Sequence, residues 1–246
     1  IRPYMKAALS PPRSEPAKRP PGLARVNLQP DLFSGAWHVF AALCGLGVAL
    51  WIARTAPWRR LLDGHQLNAI LGAAVILTLL WSLNAGVYPG LNLHLLGAMA
   101  ATLIFGPQLA LVVLGLALAG VTLNGSVEWG AYPINFLVMG VIPVAFGSLY
   151  FTLIERWLPR HFFVYIFVNA FIGAAVIVLL QGLVASLALF AAGAYPADKL
   201  LSEYLPFFLL LGFAEAWLSG MALTLLVVYC PEWVASFDDR SYLMNK

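Results

Sequence analysis

Hydrophobic residues fall along this chain in long runs, broken by short stretches that carry the polar residues, prolines and glycines. That is the pattern of a polytopic membrane protein, not of alternating strands. A helix that crosses a bilayer takes about 20 predominantly apolar residues. By that measure the runs predict seven helices, at about 33–53, 67–83, 93–106, 108–123, 132–154, 162–194 and 205–229. The third has only 14 residues and stops at Gly106-Pro107, so it is expected to be tilted, re-entrant or buried among its neighbours. The sixth is long enough to tilt or to project past the bilayer. The expected fold is therefore all-α, a membrane bundle of about seven helices over residues 26–230, followed by a C-terminal tail at 231–246.

Composition agrees: 61% of the 246 residues are hydrophobic and 10% are charged, well below the charged share of a soluble domain. The net charge of +3 is small and the basic residues are not interleaved with exposed aromatics, so nucleic-acid binding has no support. Cys44 and Cys230 stand alone, without a CxxC, and indicate neither a disulfide framework nor a zinc site. The first 25 residues, IRPYMKAALSPPRSEPAKRPPGLAR, are basic and proline-rich with no apolar period, and are expected to be disordered.

Lys and Arg in short loops set the orientation. Arg54, Arg59, Arg60, Arg156, Arg160, Arg240 and Lys246 fall on one side of the predicted bundle, and Lys199 on the other. The N-terminus of the bundle is then extracytoplasmic, its C-terminus cytoplasmic, and the location a bacterial inner membrane. The basic tail cancels this bias by adding Arg2, Lys6, Arg13, Lys18, Arg19 and Arg25 to the outer face. A translation start at Val26, read as methionine, removes the conflict and leaves Asn27 as the second residue.

Polar groups inside hydrocarbon need a partner or a function. His94 lies at the mouth of the third apolar run, after the loop NAGVYPGLN. It reads either as a ligand for a transition metal arriving from outside or as a ring bonded to a loop carbonyl. Glu215 sits about halfway along the last helix and is either a helix-packing acid or one that faces a polar cavity. Asn135, Asn169 and Gln181 read as interhelical hydrogen-bond partners. The small residues at 173–175 and 219–220 permit close helix contact, within the bundle or with a partner subunit. His38 could approach His94, while His65 and His161 belong to the basic loops. Trp58, Trp81, Trp129, Trp157 and Trp233 read as an interfacial belt. There is no GxSxG, HExxH or P-loop, so the chain is not expected to be an enzyme or to supply its own nucleotide energy.

The stretch NLHLLGAMAATLIFGPQLALVVLG at 92–115 resembles the CbiM/NikM group of energy-coupling factor transporter permeases, and AEAWLSGMALTLLVVY at 214–229 is similar to that family's last helix. The resemblance implies a substrate-binding membrane component of an ABC importer for cobalt or nickel, working with a coupling membrane subunit and ABC ATPases in the bilayer, with no covalent cofactor. In that family the metal, here Co, Ni or Cu as substrate, is held by the N-terminal amine, the second residue's amide nitrogen and imidazole, and a motif histidine. His94 matches the motif histidine. The second residue departs from the pattern, because Asn27 has no imidazole, and Asp31 and His38 are the residues nearest in sequence that could replace it. The alternative reading is a non-transporting accessory protein that keeps the scaffold and packs against another membrane complex. An intramembrane enzyme built on Glu215 and His94 is disfavoured, because the two are expected at different depths.

Overall fold

The computed structural model describes residues 28–88 and 91–242, so the expectations for the tail at 1–25, the Val26 start and Asn27 lie outside the described residues. Among the described residues five helices are long and apolar enough to cross a membrane. They are α1 (Gly35–Thr55), α2 (Gly64–Ser82), α5 (Trp129–Trp157), α6 (Val164–Ala191) and α8 (Phe207–Tyr229). Between α2 and α5 lie α3 (Ala98–Phe105) and α4 (Pro107–Leu123), separated by Gly106 at φ +79° and ψ 165°, a conformation open to glycine and closed to other residues. Pro107 then opens α4, where its missing N–H costs nothing. A short α7 (Ala197–Glu203) crosses ahead of α8.

The third predicted helix needs correction. It begins at Ala98, and the residues before it form an antiparallel hairpin of β1 (Ala85–Tyr88) and β2 (Leu91–Leu93), with Ala85 opposite Leu93 and Gly86 opposite Asn92. Local chemistry favours this outcome, since Gly86, Pro89 and Gly90 all weaken a helix. Gly86 also has a packing role, because a Cβ there would lie 2.6 Å from Asn92 Oδ1. The helix itself is buried as expected for a short intramembrane element: Ala98, Met99, Ala101, Thr102, Leu103 and Phe105 are all inside the bundle.

Helix α4 is the centre of the packing, with Leu109, Val113, Leu114, Ala117, Leu118 and Val121 enclosed. Its Gly120 meets α2 so closely that a Cβ would lie 2.5 Å from Thr78 Oγ1. In contrast α1 is peripheral and turns Val39, Phe40, Leu43 and Leu46 outward, as a lipid-facing helix does. The small residues at 173 and 220 pack the bundle internally: a Cβ at Gly173 would sit 3.0 Å from Met99 Cε, and one at Gly220 would enter the Phe171 ring.

Both α5 and α6 contain π-helical turns, Leu137–Val141 and Val164–Ile172. These turns shift the helix face by a fraction of a turn and release carbonyls from the i→i−4 ladder. Tyr150 donates to the Val168 carbonyl at 3.0 Å, which joins α5 to the turn in α6.

The orphan carbonyls at the C-terminal end of α3 are met by the segment after α8. Ala235 N donates to Ile104 O at 2.8 Å, and Ser236 donates to Leu103 O through both its N–H, at 3.2 Å, and its hydroxyl, at 2.8 Å. The Ser236 hydroxyl also pairs with Tyr165 at 2.7 Å, while Tyr242 donates to Glu155, whose other oxygen holds Arg160 at 2.8 Å. This end of the bundle therefore gathers the ends of α3, α5 and α8 with the start of α6.

Candidate functional site

Helix α3 starts at the opposite pole of those contacts, and its approach is set by Glu215 of α8. The Glu215 carboxyl group, 2% exposed, accepts the Leu96 N–H at 2.8 Å on one oxygen and the Gly97 N–H at 2.5 Å on the other. The Ser219 hydroxyl adds a longer contact of 3.4 Å. Glu215 thus holds the HLLG stretch, two residues from His94, and the expected separation of the two in depth is corrected. Glu215 is the ninth residue of α8, about 12 Å along its axis from the first residue, so the loop that carries His94 dips well inside the bundle.

Gly97 makes the dip feasible. Its φ is +69°, and a Cβ would lie 2.5 Å from Leu77 Cδ2, so both backbone and space call for glycine. Trp81 closes the other side: its indole N–H donates to Leu96 O at 3.2 Å, and its ring lies 5.2 Å from the His94 ring. At 1% exposure Trp81 is a core residue, which corrects its place in the interfacial belt, whereas Trp58, Trp129 and Trp157 are exposed.

His94 is 8% exposed and its Nδ1 lies 3.0 Å from Leu95 O. A carbonyl only accepts, so Nδ1 carries the hydrogen and Nε2 keeps its lone pair. Burial lowers this imidazole to about 4, so the ring is neutral at physiological pH, the form that ligates metals. The loop-carbonyl bond and a ligand role are thus compatible, each using a different nitrogen.

His94 lines a cavity of about 20 Å³ together with Asn92, Gln181, Tyr204 and the apolar side chains of Leu28, Val138, Met139 and Phe208. That is room for one water or one bare ion. Burial holds the Tyr204 phenol well above its usual range, so it stays a neutral hydroxyl. Gln181 faces this cavity, a different position from the interhelical bridge expected of it.

Leu28 brings the leading segment of the chain to the same cavity. Its N–H donates to Asn135 Oδ1 at 3.0 Å, and its carbonyl accepts from Asn135 Nδ2 at 2.9 Å. Asn135 is fully buried and also donates to Ala131 O at 2.9 Å, so its partners are the leading segment and its own helix. Asn169 is fully buried in the π-helical turn of α6, and neither its Nδ2 nor its Oδ1 makes a hydrogen bond, contrary to the expected interhelical partnership.

The residues considered as substitutes for a second imidazole do not join His94. Asp31 is exposed, and His38 Nε2 bonds to the Pro30 carbonyl at 3.1 Å. Among the described residues no three His, Cys, Asp or Glu side chains come together in a way that could hold a metal. His65 and His161 are exposed at the other end, as expected of the basic loops.

Over this end of the bundle the hairpin and α7 close together. Lys199 of α7 stacks 3.6 Å above the Tyr88 ring of β1, and Glu203 of α7 hydrogen-bonds the Tyr88 side chain. Nothing in the sequence pattern pointed to this contact, to the Trp81 bond or to the docking of Leu28.

Two solved structures share the fold. One, a truncated transition-metal transporter, aligns with a TM-score of 0.71 at 18% identity over 82% of this chain and 99% of its own. The other, a transition-metal transporter, aligns with a TM-score of 0.70 at 18% identity over 81% and 92%. No curated protein matches the chain. Residues 27–233 match the family described as the cobalt uptake substrate-specific transmembrane region, CbiM, and so the chain belongs to this family of metal-uptake membrane components.

Proposed function

We propose that this protein is the substrate-binding membrane component of an energy-coupling factor importer for a divalent transition-metal ion of the cobalt or nickel class. The observation that carries the reading is that His94 and Leu28 line one cavity of about 20 Å³, which joins an imidazole with a free Nε2 to the leading segment of the chain. Nitrogen ligands of this kind suit nickel, cobalt and copper, and the neutral polar residues Asn92, Gln181 and Tyr204 also line the cavity. His94 acts as a metal ligand, and the leading segment supplies further donors. Glu215, Gly97 and Trp81 hold the His94 loop in place.

The ends occupied by Arg54, Arg59, Arg60, Arg156, Arg160 and Arg240 lie on the cytoplasmic side of the inner membrane, so the cavity opens toward the outside. The chain carries no phosphate-cradling loop, and the energy of uptake comes from partner ATPases through a coupling subunit.

Purified protein should bind nickel, cobalt or copper, and His94→Ala should weaken binding at least tenfold, about 1.4 kcal/mol. Equal affinity in the variant removes His94 from the site. A second reading is a non-transporting accessory protein that keeps the scaffold and packs against another membrane complex. Co-purification separates the two. Transporter ATPases and a coupling subunit support uptake, and a different membrane complex without them supports the accessory role.

A further inference from the structure

Among the described residues Asn169 is the one whose whole side-chain amide is buried without a hydrogen bond. Its neighbours on α6, Ile166 and Ala170, belong to an apolar cluster with Met99, Leu103 and Leu223. A buried acceptor and a buried donor without partners both cost free energy, and a leucine would fill a similar volume without that cost. The amide therefore calls for a reason outside the packing of this conformation.

Asn169 lies within the π-helical stretch Val164–Ile172, close to its C-terminal end. Gly173 N–H bonds to Val168 O, five positions back, which is the π pattern. A π-helical turn holds one extra residue. If that residue moves along the helix, each side chain it passes rotates about the axis by one residue step, about 100°. The Val168 carbonyl adjoins the Asn169 nitrogen, and it also accepts from the Tyr150 hydroxyl of α5 at 3.0 Å. Tyr150 is held against α6 at Gly173, where a Cβ would lie 3.0 Å from its ring. A hydroxyl of a neighbouring helix thus stands beside the Asn169 main chain while the Asn169 amide points elsewhere.

We propose that the π-helical stretch of α6 is a two-position switch, in which the Tyr150 hydroxyl exchanges the Val168 carbonyl for the Asn169 side chain. In the second position the bonding at residue 168 is α-helical: Ile172 N–H takes Val168 O, Asn169 turns toward α5, and its Oδ1 accepts from Tyr150. The unpaired amide raises the energy of the first position and so keeps the second within reach. The same part of α6 touches the helix that follows the His94 loop, since Gly173 lies against Met99 of α3. The switch is therefore placed to serve the uptake cycle after metal capture, and this last step rests on the uptake reading given above.

Asn169→Leu removes the unpaired amide and the second position together. In metal-free protein in detergent it should raise the thermal midpoint by about 2–4 °C. It should also slow hydrogen exchange of the amides at 168–173, followed by mass spectrometry, at least tenfold. Purified Asn169→Leu should bind nickel(II) chloride as the wild type does, and cells of the native host carrying it should take up nickel at least tenfold more slowly. Tyr150→Phe should lower both the midpoint and uptake, and adding Asn169→Leu to it should cut uptake no further. An unchanged or lower midpoint in Asn169→Leu, or failure to fold, overturns the inference, because the amide then has a partner, a bound water included. Wild-type exchange or weaker nickel binding in that variant overturns it as well, and uptake losses that multiply in the double variant overturn the pairing with Tyr150. Wild-type uptake by a variant with slowed exchange removes the switch from transport. His94→Ala is the separating control: if it takes up nickel as the wild type does, the metal-site reading fails, while midpoint and exchange still decide whether the switch exists.

Discussion

Glu215→Gln is the perturbation whose outcome follows most directly from geometry. The glutamate engages two N–H donors with two oxygens, Leu96 N at 2.8 Å and Gly97 N at 2.5 Å, at a place where Leu96 is 1% exposed and Glu215 2%. Glutamine has nearly the same shape but only one acceptor oxygen, so its NH₂ must face one of the two donors. An orphaned buried donor costs about 1–3 kcal/mol, and the loop loses one of its two bonds to residue 215. Glu215→Gln should therefore destabilise the protein by about 2 kcal/mol, and Glu215→Ala, which orphans both donors and leaves a hole, by about 4 kcal/mol. For a chain of this size about 2 kcal/mol lowers the unfolding midpoint by roughly 4–8 °C. Thermal unfolding in detergent, followed by tryptophan fluorescence with Trp81 beside the loop, measures the shift. If Glu215 were only a volume-filling residue, the isosteric glutamine would be neutral. A midpoint within about 1 °C of wild type, with unchanged metal affinity, refutes the anchoring role.

Other perturbations separate the parts of the loop. Gly97→Ala forces an alanine to φ +69° and sets its Cβ 2.5 Å from Leu77 Cδ2, so it should cost about 2 kcal/mol in denaturant unfolding and weaken metal binding as well. Gly106→Ala, at φ +79° but with no atom within 4 Å of the new Cβ, should lower stability through backbone strain with little effect on metal affinity. Trp81→Phe keeps a ring beside His94 but strips the 3.2 Å bond from the Leu96 carbonyl, a loss of about 1 kcal/mol by the same assay. The His94 imidazole sits near 4 in the folded protein, against an ordinary 6.5, because burial disfavours its charged form. The unfolded chain then binds more protons in that window, so the stability of metal-free protein should fall as pH drops from about 6.5 toward 4 and stay level above 6.5 as far as this group is concerned. Urea midpoints of wild type and His94→Ala at pH 7 and pH 5 check this, and an equal pH dependence in both contradicts it.

Much of the architecture is legible in the sequence because hydrocarbon imposes a coarse demand. Apolar runs of sufficient length become helices wherever they occur, and Gly106-Pro107 ends α3 by local chemistry that any reader of the chain can see. His94 stands out for the same reason, as an ionisable group at the edge of an apolar run. What the pattern does not carry is pairing between distant residues. The hairpin at Ala85–Tyr88 and Leu91–Leu93 consists of strands too short to show a period, and the helical reading at 93–97 loses to bonds from a residue more than a hundred positions away. Glu215 and Asn135 are each visible as polar groups among apolar neighbours, yet their partners are backbone atoms, and backbone leaves no signature in the side-chain sequence. Trp81 illustrates the same limit. A tryptophan near a helix end suits an interface, and only the position of Leu96 O turns it inward.

The central claim is that one ion sits between His94 and the docked leading segment. Anomalous scattering from crystals grown with nickel or cobalt tests it most directly. The account predicts a single strong peak in the cavity bounded by Leu28, His94 and Gln181, at coordination distance of about 2.0–2.1 Å from His94 Nε2. A peak elsewhere in the bundle with that cavity empty contradicts it.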